Sequence, residues 1–331
     1  MSEATPNGSM PRTPSTPSTP STPNTPSTPD DGVDAATHAF TEHRELLFSM
    51  VYNLLGTVAD TEDVLQETWL SWSARNRATE TGPINHPRAY LVRVAVNKAL
   101  ARQVEVSRRR ESYFGPWLPE PLVAHLDADV LAGPAEDPVE HAEAVSIALL
   151  VVLETLTPLE RAVFVLHEVF GYAHTETAEV LGRSPAAVRQ LAHRAREHVQ
   201  ARRPRFRTDP QLRQQVTERF AGAVADGDLT VLLDLLAPDV TLWADGGGKA
   251  TAAGAHPVHG RDKVARLLAG GANRAPDGVQ VHWGLANGDP SALLFAGAVP
   301  FAVLVLDLTP DGERIAGVYF LTNPDKLSRV R

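Results

Sequence analysis

The segment "HTETAEVLGRSPAAVRQLAHRAREHV", residues 174 to 199, constrains the fold of this chain more than any other stretch. Ala178 is small where two helices must cross. Gly182 permits a left-handed turn, and Ser184-Pro185 caps and starts the next helix. Val188 and Leu191 then face back into a core. A small residue, a glycine turn and an apolar pair in this register make a helix-turn-helix. A generic helical hairpin, the alternative, does not require every one of these constraints at once. The second helix is rich in arginine, and its outward residues Arg183, Ser184, Ala186, Ala187, Arg189, Gln190, His193, Arg194 and Arg196 are placed to meet base edges or phosphates.

A formal net charge of −9 argues against a nucleic-acid binder only as an average. Residues 75 to 110 hold nine Lys/Arg against two acids, and residues 183 to 207 hold eight Arg against one Glu. Between these basic islands, residues 111 to 182 carry thirteen Asp/Glu and one base, Arg161. There is no cysteine, which excludes a disulfide framework, Cys-ligated metal and a thiol nucleophile. The longest apolar runs, "SIALLVVL" and "FAVLVLDL", fall short of the roughly 20 residues a membrane-spanning helix needs. The polar, proline-rich N-terminus carries no secretory signal, so the expected compartment is the cytoplasm. At 331 residues with 43% hydrophobic content, several domains each have material for a core.

The chain divides into five parts. Residues 1–35 form a Thr/Pro/Ser-rich tail with nothing to bury, expected to be disordered. Residues 36–107 read as helical. Phe40, Leu46, Leu47, Val51, Leu54 and Leu55 supply one inward face, and Asp60 is placed to cap the next helix. In "DTEDVLQETWLSW", Val64, Leu65, Trp69 and Trp72 face inward, while Asp63, Gln66, Glu67 and Leu70 share the opposite stripe. A solvated face explains such a stripe as well as a docking surface does. The helix from about Pro87 to Val104 buries Leu91, Val92, Ala95, Val96 and Ala99 and shows Arg88, Arg93, Asn97, Lys98 and Arg102.

Residues 108–143 form an acidic linker opening on "RRRESYFGPWLPEP", which is no ordinary spacer. Prolines 116, 119 and 121 stiffen it, and Tyr113, Phe114, Trp117 and Leu118 offer apolar anchors. Residues 144–205 hold the helix-turn-helix, with helix breaks at Thr157-Pro158 and Gly171-Tyr172. From 209 to 331 two helices precede a strand "DVTLW", a glycine turn "DGGGK", a short helix and four extended runs. This order implies an α+β domain with a largely antiparallel, curved sheet.

The motifs "DTEDVLQETWLSW", "HPRAYLVRVAVNKAL" and the helix-turn-helix after "LTPLERAVFVLHEVFGYAHTETAEVLG" together resemble regions 2 and 4 of a bacterial extracytoplasmic-function (ECF) sigma factor. "GPWLPEP" and "DGGGK" resemble the ECF41, SigJ-like, subgroup with a fused C-terminal SnoaL-like domain. The resemblance implies a multidomain fold: an all-α region 2 bundle, an all-α region 4 helix-turn-helix, and an α+β NTF2-like cone. It implies that Asp63, Gln66, Glu67 and Leu70 bind core RNA polymerase. Asn76, Arg77, Arg88, Arg93, Asn97 and Arg102 would open and hold the −10 element, which calls for cations along a backbone and a place for an unstacked base. The helix beginning at Ser184 would enter the major groove at the −35 element. The acids Glu120, Asp127, Asp129, Glu136, Asp137, Glu140 and Glu143 suit a linker threading the basic polymerase cleft. Regulation in cis would run through contacts of Trp117, Leu118 and Pro119 with Asp245, Gly246, Gly247, Gly248 and Lys249 and with Asn323, Pro324, Asp325, Lys326 and Leu327. A plain hairpin turn is the bland account of the glycine triplet.

The implied partners are core polymerase (β and β′ subunits) and promoter DNA, with no membrane, no cofactor, no metal and a monomeric free chain. NTF2-like cones also host enzymes, which makes Asp245, His256, His259, His282 and Tyr319 candidates for general acid or base work. No carboxylate pair or nucleophile-base pair stands out among them, and His256 and His259 lack a metal ligand set. No catalytic role is therefore expected. A small apolar ligand sensed by the cone, or a dimeric repressor built on the helix-turn-helix alone, are the rival readings.

Overall fold

The computed structural model describes residues 29–77, 84–125, 145–202, 210–250, 253–271 and 276–330. The Thr/Pro/Ser tail to residue 28 and the linker acids Asp127, Asp129, Glu136, Asp137, Glu140 and Glu143 lie outside them.

Three helices open the fold: α1 (Pro29–Leu55), α2 (Val58–Arg77) and α3 (Pro87–Glu111). They bury Leu47, Phe48, Val51, Leu54, Val64, Leu65, Trp72, Leu91, Val92, Ala95 and Val96 against one another. Asp60 is not the cap of α2. The helix starts two residues earlier, and Thr57 Oγ1 donates to Asp60 Oδ2 at 2.6 Å from the preceding position. Nor does α3 end near Val104. It runs on through the arginines expected in the linker, because Val106 is buried against the bundle and Arg108, Arg109 and Arg110 sit in the last turn, where cations oppose the negative end of the helix dipole.

A second helical group follows the linker: α4 (Ile147–Leu153), α5 (Pro158–Phe164) with a π-helical continuation Val165–Val169, α6 (His174–Leu181) and α7 (Pro185–Arg202). Thr157 caps α5 in a reciprocal box with Glu160, and Pro158 occupies its first turn. Between α6 and α7, Gly182 takes φ 61°, ψ 40°, and Ser184 Oγ accepts from the amide of Ala187 at 3.2 Å. The two helical groups are not separate bodies: Ala162, Phe164, Val165, Ala178 and Val188 belong to the same contiguous core as the residues of α1–α3.

The C-terminal part contains α8 (Pro210–Asp226), α9 (Leu229–Leu235), β2 (Leu236–Asp245), β3 (Val258–His259), α10 (Arg261–Ala269), β4 (Val279–Ala286), β5 (Asp289–Ala296), β6 (Val299–Leu308), β7 (Ile315–Leu321) and α11 (Pro324–Leu327). With β1 (Val123–His125), the sheet order is β1-β4-β5-β6-β7-β2-β3, antiparallel except for the β2–β7 pair. One of its faces packs on the helices through Phe220, Leu232, Leu235, Val264, Leu304, Leu306 and Val318. The edge strand β1 (Val123–His125) comes from the linker and pairs antiparallel with β4, Val123 opposite Ala286.

Candidate functional site

Asp63, Gln66, Glu67 and Leu70 are all exposed along one stripe of α2, and Leu70 keeps 57% of its surface in solvent. The stripe is edged by cations of α3. Arg102 donates to Glu67 at 3.0 Å and to Asp63 at 3.4 Å, and Lys98 reaches Glu67 at 3.4 Å. Arg102 thus borders the acidic stripe instead of lying wholly on the cationic face expected from sequence. Exposed pairs of this kind contribute about 0–1 kcal/mol, so they leave the stripe free to exchange partners.

Asn76 and Arg77 lie exposed at the end of α2 and donate back to the carbonyls of Trp72 and Ser73. Arg88 and Arg93 project from α3. Tyr90, Arg93, Val94, Asn97, Lys98 and Ala101 line a hollow of about 430 Å³ on this helix. Asn97 is shared: its Nδ2 donates to the carbonyl of Arg93 at 2.7 Å and to that of Val180, in α6, at 2.9 Å. The first helix of the helix-turn-helix therefore rests on the face expected to hold the −10 strand.

In the turn before α7, Arg183 and Ser184 are exposed; on α7, Ala186, Arg189, Gln190, His193 and Arg194 are exposed and Ala187 is half-buried. Arg194 pairs with Glu160 at 3.1 Å, and His193 lies 3.5 Å from Glu197. Arg196 departs from the expected outward set. Its guanidinium donates to Glu168 at 2.6 Å and braces the π-helical stretch.

The densest polar network sits where the linker meets the C-terminal sheet. Asp245, the last residue of β2, is fully buried. Its carboxylate accepts from the Tyr113 hydroxyl at 2.5 Å, the Leu118 amide at 2.8 Å, Lys326 Nζ at 2.7 Å and the Gly247 amide at 3.1 Å. Lys326 also donates to the Leu118 carbonyl and stands 4.1 Å over the Trp117 ring, whose other cation is Arg110 at 3.5 Å. Asn323 caps α11 through the amide of Asp325 and donates to Tyr113 at 2.7 Å, while Leu327 packs beside Leu118 and Ile147 in a third core. Pro324 opens α11, and Lys249 pairs with Asp325 on the surface. Pro119 is buried with Leu118.

The glycine triplet is not a tight hairpin. Gly246 accepts from Lys249 and Ala250 at the head of the long loop to β3. Gly247, at φ 58°, is so close to Asn323 that a Cβ there would fall 2.5 Å from its amide nitrogen. Phe114 does not anchor the linker, being 60% exposed.

Sequence reasoning missed the far end of this clamp. Glu120, counted there among the linker acids suited to the basic polymerase cleft, is buried: it accepts from the Val58 amide at 2.8 Å, and its own carbonyl accepts from Tyr52 Oη at 2.6 Å. Asn287, at φ 54° in the β4–β5 turn, exchanges two bonds with Leu122 and donates to Tyr52 Oη at 2.9 Å. Gly284 lets β1 approach, since a Cβ there would lie 2.9 Å from the Ala124 carbonyl. A mid-strand glycine is a sign of such close approach.

Burial holds Lys326 down, to about 8, with Asp245 opposing the shift. Its folded value lies below its unfolded value near 10.4, so between those two values the unfolded chain binds more protons and the burial cost of the charged lysine is relieved as pH rises. The stability of the wild type relative to Lys326→Met is expected to increase by about 2 kcal/mol between pH 7.5 and 9.5, read by urea unfolding at both values. A constant difference would contradict the burial of this amine.

The candidate acid-base residues are engaged separately. Asp245 belongs to the clamp, Tyr319 stacks on Trp243 at 4.9 Å, His282 meets Phe295 edge-on at 5.2 Å, His259 bonds Thr241 at 3.0 Å, and His256 is exposed. Among the described residues no cluster of His, Asp and Glu could hold a metal, and no helix is long and apolar enough to cross a membrane.

Residues 39–109 match the family model of sigma-70 region 2, and residues 146–199 match that of sigma-70, region 4. The chain is 39% identical over 300 residues to the ECF RNA polymerase sigma factor SigJ of Mycobacterium tuberculosis (strain H37Rv), covering 87% of this chain and 92% of that protein. It is 30% identical over 309 residues to the probable ECF RNA polymerase sigma factor SigI of the same species, covering 90% of this chain and 97% of the relative. The crystal structure of the M. tuberculosis extracytoplasmic function sigma factor SigJ superposes with a TM-score of 0.69 at 36% identity, over 88% of this chain and 98% of that one. By these matches, spanning helical groups, linker and C-terminal sheet, the chain belongs to the ECF RNA polymerase sigma factors.

Proposed function

We propose that this sigma factor, which directs promoter-specific transcription initiation, is held in a closed arrangement in which its C-terminal domain acts in cis as the restraint. The observation that carries the reading is Asn97: a residue placed for the −10 strand is bonded to the backbone of the helix-turn-helix, while the linker between the two groups is clamped by Asp245, Lys326 and Asn287. Two DNA-reading surfaces packed in one core cannot reach separate promoter elements, so opening must accompany engagement. In the open form Arg88, Arg93, Asn97, Asn76 and Arg77 hold the −10 strand, with the hollow beside Tyr90 accepting an unstacked base. Arg189, Gln190 and their neighbours on α7, with Arg183 in the turn before it, enter the major groove at −35.

The stripe of Asp63, Gln66, Glu67 and Leu70 is taken to dock on core polymerase, with Arg102 and Lys98 exchanging intramolecular for intermolecular partners. The free chain is read as a cytoplasmic, non-enzymatic monomer in which the region 2 part extends to the end of α3, and any small apolar ligand would be sensed by the C-terminal domain. The deciding experiment is run-off transcription with core polymerase. The wild type should initiate at its promoter, and Asp63→Lys with Glu67→Lys should reduce product at least tenfold, with loss of co-purification and an unchanged circular dichroism spectrum. Retained association with core enzyme would overturn the assignment of the stripe.

A further inference from the structure

We propose that the turn between α1 and α2 is a seat for the linker, in which Gly56 is a positioning residue that admits the ring of Trp117. From sequence, the linker anchors are expected to meet the C-terminal domain, and Lys326 does stand over this ring. The edge of the ring points into the first helical group. Gly56 takes φ 74° between the two helices, and a Cβ there would fall 2.9 Å from Cη2 of Trp117 and 3.5 Å from Cζ3. The bare Cα is the floor on which the indole rests, and a side chain at this position displaces it.

Backbone and charge build the rest of the seat. The Gly56 amide donates to the Tyr52 carbonyl at 2.7 Å, which closes α1, and its own carbonyl accepts from the Glu120 amide at 2.9 Å. Two residues on, the Val58 amide donates to the Glu120 carboxylate, so the linker supplies the acceptor for a first-turn N–H of α2. The Leu55 carbonyl, on the other side of Gly56, accepts from Arg110 at 2.7 Å, and that guanidinium lies on the Trp117 ring at 3.5 Å. Glu154 pairs with the same arginine and fixes the cation over the ring from the second helical group. Trp117 and Glu120 are thus held by the α1–α2 turn, while the amide and carbonyl of Leu118 between them are held by Asp245 and Lys326.

A left-handed turn alone also calls for glycine, but the two demands are separable. Asn adopts positive φ far more readily than Ala, and both bring a Cβ into the ring. If the backbone angle is what matters, Asn is the milder replacement; if the ring is, Asn is at least as disruptive. Trp117 must leave the seat when the helical groups separate, so the seat restrains opening through the first helical group. This consequence, unlike the seating, rests on the closed arrangement read above.

The test uses the full chain with isotopically labelled tryptophan, whose five indoles are Trp69, Trp72, Trp117, Trp243 and Trp283. The Trp117 indole is the resonance lost in Trp117→Phe. In Gly56→Asn and Gly56→Ala it is expected to move toward the position of an unstructured peptide, while Trp243 and Trp283, in the sheet, keep theirs. Run-off transcription with core polymerase should rise about threefold or more in both variants, a direction that simple destabilisation does not give. Trp117→Leu, which empties the seat from the linker side, should roughly halve the loss of melting temperature caused by Gly56→Asn, and it keeps the test open where a single Gly56 variant does not fold. The seat is overturned if the Trp117 resonance stays in place in both Gly56 variants, if Gly56→Asn moves it far less than Gly56→Ala, or if Trp117→Leu brings no relief. A rise in transcription for Asn287→Ala but not for the Gly56 variants overturns the restraint through the seat. No rise in any of them, with Trp117 displaced, overturns the closed arrangement as a restraint and upholds the seating of Trp117 alone.

Discussion

Replacing Asp245 by Ala is expected to lower the unfolding free energy by about 3–5 kcal/mol, because it leaves Lys326 as an uncompensated buried cation. The carboxylate is the hub of the clamp, accepting from Tyr113, the amides of Leu118 and Gly247, and Lys326, so one truncation removes the acceptor of four donors. Lys326→Met should cost less. The carboxylate then still accepts from Tyr113 and from the amides of Leu118 and Gly247, whereas in the Asp245 variant the ammonium keeps only the Leu118 carbonyl and the face of Trp117. Combining Asp245→Leu with Lys326→Met removes both charges and should recover much of the loss, since an ion pair replaced whole is far cheaper than one broken. Urea denaturation followed by tryptophan fluorescence measures all three, and Trp117 reports on the clamp directly. Losses under about 1 kcal/mol for the Asp245 variant would mean that solvent reaches the pair and that the clamp is a surface contact.

What the sequence made legible was whatever is decided within one helix or strand. Ala178, Gly182 and Ser184 fix the helix-turn-helix locally, and the runs at 279–286, 289–296, 299–308 and 315–321 announce themselves by composition. Groups whose partners lie far along the chain were misplaced. Glu120 looks like one acid in an acidic linker, yet it is buried because Val58, 62 positions earlier, presents a free amide at the start of α2. The three residues of β1 are too few to show alternation, and their pairing depends on β4; Gly284 was the one local hint. Arg196 fits the outward pattern of α7, but Glu168 draws it inward. Phe114 has the composition of an anchor without the burial, and the docking is carried by Tyr113, Trp117 and Leu118 instead. Arg108 to Arg110 read as linker because of their charge, whereas in a helix C-terminus that charge is favourable.

Removing everything after Arg207 should raise promoter-dependent transcription by core polymerase at least several-fold. The truncation deletes Asp245, Asn287 and Lys326 together, and with them every bond that ties Tyr113, Leu118 and Leu122 to the sheet. The contacts that remain between the helical groups include Asn97 with Val180, Asn53 with Val145 and with Arg161, and Arg110 with Glu154, plus the shared apolar core. Losing the clamp therefore tilts the closed arrangement toward opening without abolishing it, and each 1.4 kcal/mol of lost restraint shifts that balance about tenfold. Truncation also bares Leu118, Ile147 and Ala148, which pack on the sheet in the whole chain, so poor solubility could mask the gain. Asn287→Ala in the full-length protein avoids this: it removes the side-chain bonds to the Leu122 amide and to Tyr52 Oη while the sheet still covers the apolar residues. Run-off transcription should rise in both forms, the point variant less than the truncation. Transcription that stays at the wild-type level in both would mean that the C-terminal domain exerts no restraint through the linker.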